Sequence, residues 1–103
     1  MLEFDPEEEK RVYQRAMQVE LLHHDVSAEI EKLIQVRYKG VVVGEYDADL
    51  LSAGTVAVEL KVAPQYDKRD DAQLLNQLKA TDLKVGLLIN FGRTKVESKR
   101  LVF

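Results

Sequence analysis

Asp49-Leu50-Leu51-Ser52-Ala53-Gly54-Thr55-Val56-Ala57-Val58-Glu59-Leu60-Lys61-Val62 is the stretch whose reading decides the fold. Ser52-Ala53-Gly54 has the composition of a tight turn. Beyond it Val56, Val58, Leu60 and Val62 alternate with Ala57, Glu59 and Lys61, the period of two expected of a strand with two different faces. If the hairpin turns about Gly54, residues whose numbers share one sum face each other, so Asp49 lies across from Glu59 with Cβ atoms about 5 Å apart. Lys61 points the same way as Glu59, and Ala57 leaves that surface uncrowded. Two acids and a lysine therefore converge.

Upstream, Ile34, Val36 and Tyr38 alternate with Gln35 and Arg37, which predicts a half-buried strand from Ile30 to Tyr38. Lys39-Gly40 supplies a tight turn into Val41-Val42-Val43, and a further strand is expected over Tyr46 to Leu51. The chain opens with a helix from Asp5-Pro6-Glu7-Glu8 to about Leu22: Asp5 caps free amides, Pro6 takes the first helical position, and Glu8 completes a capping box. Val12, Ala16 and Val19, with Tyr13 and Met17 beside them, form the stripe expected to enter the core. Lys10, Arg11, Gln14, Arg15 and Gln18 are expected to face water.

Downstream, Pro64-Gln65-Tyr66 breaks the sheet, and Lys68 to about Thr81 reads as a second helix with Leu74, Leu75 and Leu78 as its apolar face. Val85-Gly86-Leu87-Leu88-Ile89 has the all-apolar make-up of a strand buried on both faces and, following a helix, is placed to pair in parallel. Asn90-Phe91-Gly92 ends it, and Arg100 to Phe103 forms a short edge strand. The expected fold class is α/β: a central mixed sheet flanked by two helices.

The 103 residues, 46% hydrophobic and 32% charged, suit one domain spanning 1–103. No apolar run approaches the roughly 20 residues needed to cross a bilayer, and Met1-Leu2-Glu3-Phe4-Asp5 lacks the pattern of a secretion signal, so a cytoplasmic setting without membrane contact is expected. With no cysteine, a bound metal must use oxygen or imidazole. The net charge of -3 argues against a surface that is basic throughout. Lys95, Lys99 and Arg100, together with Lys68-Arg69, form two local basic clusters that read most simply as solvated charge.

Two adjacent carboxylates raise each other's pKa unless a cation neutralises them, and a hard divalent ion, Mg²⁺ or Mn²⁺, answers that need. Such an ion would bind a phosphate oxygen and activate a water, while Lys61 would orient that water or stabilise charge on the phosphate. On spacing alone, a cross-strand salt bridge between Lys61 and its acidic neighbours accounts for the same residues and is the commoner arrangement.

A longer set of matches surrounds this strand: Tyr38-Lys39-Gly40, Gly44-Glu45-Tyr46, Ala48-Asp49-Leu50, Val58-Glu59-Leu60-Lys61, Ala72-Gln73-Leu74-Leu75-Asn76, Leu78-Lys79-Ala80-Thr81 and the run from Leu83 to Gly92. In these the chain resembles the GxxExxY protein family, a branch of the PD-(D/E)XK nuclease superfamily with a restriction-endonuclease-like core. The resemblance implies Asp49 and Glu59 as metal ligands, the Leu60 carbonyl as a third, Lys61 as the catalytic lysine and Gln73 as an auxiliary polar residue. One position departs from the pattern. Counting back from Tyr13 puts Lys10 where the family has its helix glutamate and Glu7 where it has glycine.

The expected function is metal-dependent hydrolysis of a nucleic-acid phosphodiester, with DNA ahead of RNA as substrate. The other reading is a catalytically degenerate module for binding or assembly that kept the fold, motivated by Lys10 and the acidic charge. So short a chain leaves little area for gripping a duplex, which a homodimer or a partner would supply. Among other candidates, Asp47 reads as a further ligand or as an edge charge, and His23-His24-Asp25 as metal ligands or, more simply, with the histidines as cations at a helix end. Asp70 and Asp71 read as first-turn acids, and Tyr66 as a base-stacking residue.

Overall fold

In the computed structural model, residues 5–65, 67–92 and 95–102 are described. Tyr66 and Phe103, which carry expectations above, lie outside these residues. The elements run α1 (Pro6–His23), β1 (Ala28–Tyr38), β2 (Val41–Ser52), β3 (Val56–Lys61), α2 (Lys68–Ala80), β4 (Val85–Asn90) and β5 (Glu97–Val102). The five strands form one sheet in the order β1-β2-β3-β4-β5. Neighbours are antiparallel except β3 and β4, which α2 connects in parallel, so the sheet is mixed as expected.

Both helices start where side chains satisfy free amides. The Asp5 carboxylate accepts from Glu8 N at 2.8 Å, with Pro6 opening α1, and Asp67 accepts from Arg69 N at 2.9 Å ahead of α2. Lys39 and Gly40 both have positive φ, 50° and 79°, the geometry of a two-residue turn whose twist matches the strands it joins. From that turn β2 runs unbroken to Ser52, where the sequence suggested an interruption at Gly44-Glu45. Gly44 instead pairs with Val36 beside a bulge, across which Arg37 takes Val42, so the irregularity is absorbed without ending the strand.

Adjacent positions on the inner strands face opposite helices. Ala57 and Leu88 pack with Leu74 and Leu78 of α2, while Val58, Leu60 and Ile89 pack with Met17 and Leu21 of α1. Gly86 is the close-contact point of the α2 layer, because a Cβ there would lie 2.9 Å from Leu74 Cδ2.

The face that α1 turns to the sheet is not the expected one. Val12 and Val19 are 51% and 54% exposed and Ala16 is exposed, whereas Gln14 is only 5% exposed. Lys10, Tyr13, Gln14, Met17, Gln18 and Leu21 form the inward side. The reason lies in the sheet. Gln14 Nε2 donates to Asp49 O at 2.6 Å and Gln18 Nε2 to Ala28 O at 3.1 Å, so the surface beneath α1 presents carbonyls that need donors. Apolar side chains there would leave those carbonyls unpaired.

Candidate functional site

The site forms where two strands part. β2 and β3 pair through Leu50↔Val58, Leu51↔Ala57 and Ser52↔Val56, the register expected from a turn at Gly54, and the ladder stops there. Asp49 and Glu59 are the first residues beyond it. On the other side of β2 the ladder to β1 steps from Ile30↔Leu50 to Lys32↔Ala48 over Glu31, whose φ is 52°. Asp49 thus sits at an irregularity on both of its edges, and its groups find partners from elsewhere. Its carbonyl accepts from Gln14, and its carboxylate Oδ2 accepts from Leu60 N at 2.8 Å, bridging the fork between the strands.

The second carboxylate oxygen, Oδ1, faces Lys10 Nζ at 3.0 Å, with the two side chains 30% and 15% exposed. Burial works against the Lys10 ammonium, yet its hydrogen bond to Asp49 and the charges of Asp49, Glu59 and Glu7 prevail and hold its pKa above the ordinary 10.5. Glu59 shows the opposite stress. Burial, then the negative charge of Asp49, pushes its pKa up from 4.5 to about 7, although a hydrogen bond donated by Tyr46 OH to Glu59 Oε1 favours the charged form. The Tyr46 hydroxyl is in turn held far above its usual range by burial and by Glu59.

Glu59 and Lys61 open on the α2 side of the sheet, in a small pocket with Asp70, Gln73 and Gln77. Lys61 Nζ lies 3.7 Å from Asp70 Oδ1, so Asp70, in the first turn of α2, also faces the strand lysine. Gln73 and Gln77 line a broad groove of about 710 Å³ as well, between α2 and the β1–β2 hairpin, with Tyr46, Asp47, Glu45 and Arg69 on its walls. Asp49 belongs to a different recess, with Lys10, Gln14, Glu31 and Asp47. The two carboxylates therefore join a chamber under α1 to one under α2.

The strand ends that carry Lys61 are clasped. Asn90, 4% exposed, accepts from Ala63 N and Gly92 N through Oδ1 and donates to Ala63 O through Nδ2, while Phe91 N donates to Lys61 O at 2.8 Å. Phe91 stacks on Tyr13 of α1 with ring centroids 4.2 Å apart and planes 6° apart, which fixes the helix one turn beyond Lys10.

Of the residues singled out from sequence, Asp49 and Glu59 meet directly, and Lys61 and Gln73 share the pocket on the α2 side; Leu60, expected to contribute its carbonyl, reaches Asp49 through its amide. His24 pairs with Glu20 at the end of α1, and Lys99 and Arg69 of the basic clusters are tied to Asp71 and Asp67. Sequence reasoning missed Gln14, Asn90 and the link of Tyr46 to Glu59, and saw Lys10 only as a departure. Among the described residues no three His, Asp or Glu side chains gather to hold a metal, and no helix is long and apolar enough to cross a membrane.

A model of the PD-(D/E)XK nuclease superfamily matches residues 6–101. No curated protein matches the chain. Among solved structures the chain is similar to the crystal structure of SSO0001, with a TM-score of 0.62 and 15% identity over 90% of this chain and 50% of that one. At that identity the likeness concerns the fold, which is restriction-endonuclease-like, and this chain spans half the length of that structure.

Proposed function

Because the chain belongs to the PD-(D/E)XK nuclease superfamily, we propose that it is a metal-dependent nuclease hydrolysing nucleic-acid phosphodiester bonds, with DNA as the favoured substrate. Residues 1–103 act as one nuclease-like domain of the GxxExxY branch, working in the cytoplasm away from membranes, and a homodimer supplies the surface that one chain lacks. The observation that carries this reading is the fork between β2 and β3, where the Asp49 carboxylate meets Glu59 and the Leu60 amide two residues from Lys61.

The donor set suits a divalent ion. Two carboxylates, one of them with its pKa driven up to about 7, leave a local excess of negative charge that a cation relieves. Oxygen donors alone select a hard ion, and Mg²⁺ or Mn²⁺ completes its shell with water, so two carboxylates and the Leu60 carbonyl suffice. When bound, the ion supplies Lewis acidity toward a phosphate oxygen and a water of lowered pKa.

The chain's own residues supply the rest. Asp49 and Glu59 would hold the ion. Tyr46 orients the Glu59 carboxylate through its hydroxyl, and the Leu60 amide orients that of Asp49. Lys61 turns its ammonium into the pocket shared with Gln73, placed to stabilise charge on the phosphate or to orient the attacking water. Gln73, which lines both the pocket and the groove, offers a neutral amide to the substrate.

A nicking assay with Mg²⁺ or Mn²⁺ tests the reading: Lys61→Ala and Asp49→Asn are expected to abolish cleavage. Cleavage by both variants at the rate of the unaltered chain would overturn it. One observation favours a second reading, a degenerate binding or assembly module: the ammonium of Lys10 already sits on Asp49. On that reading neither Mg²⁺ nor Mn²⁺ binds and no substrate is cut.

A further inference from the structure

We infer that Lys10 is a resident counter-cation of the site and sets its affinity for a divalent ion, the ammonium and the metal competing for the same oxygen of Asp49. The inference rests on Asp49 and Glu59 being the metal-binding pair proposed above and adds what controls their occupancy.

Asp49 has two carboxylate oxygens, and their partners differ in kind. Oδ2 accepts from the backbone amide of Leu60, part of the β3 strand that builds the fork. Oδ1 accepts from Lys10 Nζ at 3.0 Å. The oxygen open to a cation therefore already holds one. An ammonium at that distance and a divalent ion on the same oxygen would bring like charges within a few ångströms in a partly buried setting, where they repel strongly. One must leave for the other to enter.

The fold decides which part of Lys10 can move. Its helix is anchored to the sheet by Gln14 on the Asp49 carbonyl at 2.6 Å and by the stack of Tyr13 on Phe91. The backbone of Lys10 is thus held over the site. Its side chain is a flexible four-carbon stem, 30% exposed, in a recess of about 130 Å³ whose other walls carry one cation, Arg11, and three acids besides Asp49: Glu7, Glu31 and Asp47. These acids receive the displaced ammonium, so an arriving ion moves Lys10 along the recess without unfolding α1. Asp49 and Glu59 themselves, with Glu7, keep the positive charge of Lys10 in the chamber when no ion is bound, and that charge offsets the repulsion between the two carboxylates.

The test is calorimetric titration of the full chain with Mn²⁺ alone at fixed pH, comparing the unaltered protein with Lys10→Met and Lys10→Arg. Lys10→Met keeps the stem and removes the charge, and is expected to bind Mn²⁺ about tenfold more tightly, equivalent to about 1.4 kcal/mol. Lys10→Arg keeps the charge and is expected to bind no more tightly than the unaltered chain. If the unaltered protein and Lys10→Met bind Mn²⁺ equally, the role of Lys10 fails and the metal reading stands. If none of the three binds, both fail.

A second measurement needs no charge-removing variant. The side-chain ammonium resonance of Lys10, assigned by its loss in Lys10→Arg, is expected to shift in step with Mg²⁺ titration of the unaltered chain. A resonance that stays fixed while the Glu59 carboxyl signal reports ion binding overturns the inference.

Discussion

Gln14, in the middle of α1, donates through its side-chain amide to the backbone carbonyl of Asp49 at 2.6 Å, tying the first helix to the strand position on which the site is built. The carbonyl has this side-chain partner at the place where the β1–β2 ladder steps over Glu31. A buried carbonyl left without a donor costs about 1–3 kcal/mol. Gln14→Leu, which fits the apolar character of a buried helix position, is therefore expected to destabilise the protein by about 2 kcal/mol in urea unfolding. A stabilised Gln14→Leu would mean that burial of the apolar side chain outweighs the carbonyl's need for a donor.

That bond also explains where the sequence was legible and where it was not. The register of the site hairpin follows from local chemistry: a turn at Ala53-Gly54, both with positive φ, and strict alternation after it fix which residues face each other. Asp49 and Glu59 could be paired on that basis alone. The inward face of α1 could not be read the same way. Val12, Ala16 and Val19 make the stronger apolar stripe, but the surface they would have met presents the Asp49 and Ala28 carbonyls and the Asp49 carboxylate, all demanding donors. Hydrophobic periodicity describes what a helix offers and is silent about what its partner surface requires. Asn90 was hidden for a related reason: two of its three hydrogen bonds close a contact with Ala63, 27 residues earlier, which no local pattern encodes.

Tyr46 and Glu59 give a prediction with a defined sign. The pKa of Glu59 is raised first by burial, then by Asp49, and lowered by the hydrogen bond from Tyr46. Tyr46→Phe leaves burial and the Asp49 charge in place and removes the one bond with Tyr46 that favours the carboxylate. The Glu59 pKa is expected to rise above its value in the unaltered chain, as followed by ¹³C NMR of the side-chain carboxyl. A fall in that pKa would show that Tyr46 acts on Glu59 chiefly by excluding water.

The same group sets a pH dependence of folding in metal-free protein. The folded-state pKa of Glu59, about 7, lies above its unfolded value of 4.5, so the folded chain holds this proton more tightly than the unfolded one. The stabilising contribution is complete below pH 4.5 and is lost as the pH rises through about 7. In EDTA, urea midpoints are expected to decline across that window, and Glu59→Gln, which keeps a neutral side chain throughout, is expected to flatten the decline. An equally steep decline in Glu59→Gln would assign the effect to other groups.

Two glycines separate a flexible obstacle from a rigid one. A Cβ at Gly86 would meet the ends of Leu74 and Leu78, side chains of α2 that can shift by a few tenths of an ångström. A Cβ at Gly92 would lie 2.2 Å from Ala63 O and 2.4 Å from Ala63 N, backbone atoms with no rotamer to change. Relief at Gly92 requires the strand ends beyond Lys61 and Asn90 to separate, breaking the bonds that Asn90 makes to Ala63 and Gly92. Gly86→Ala is expected to cost about 1 kcal/mol and Gly92→Ala about 3 kcal/mol or more in urea unfolding, the lower and upper ends of ordinary overpacking. The order of the two costs is the test. If Gly92→Ala were the milder change, the clasp between Ala63 and Asn90 would be looser than its hydrogen bonds imply, and Lys61 would lose the rigid support that the proposed chemistry requires of it.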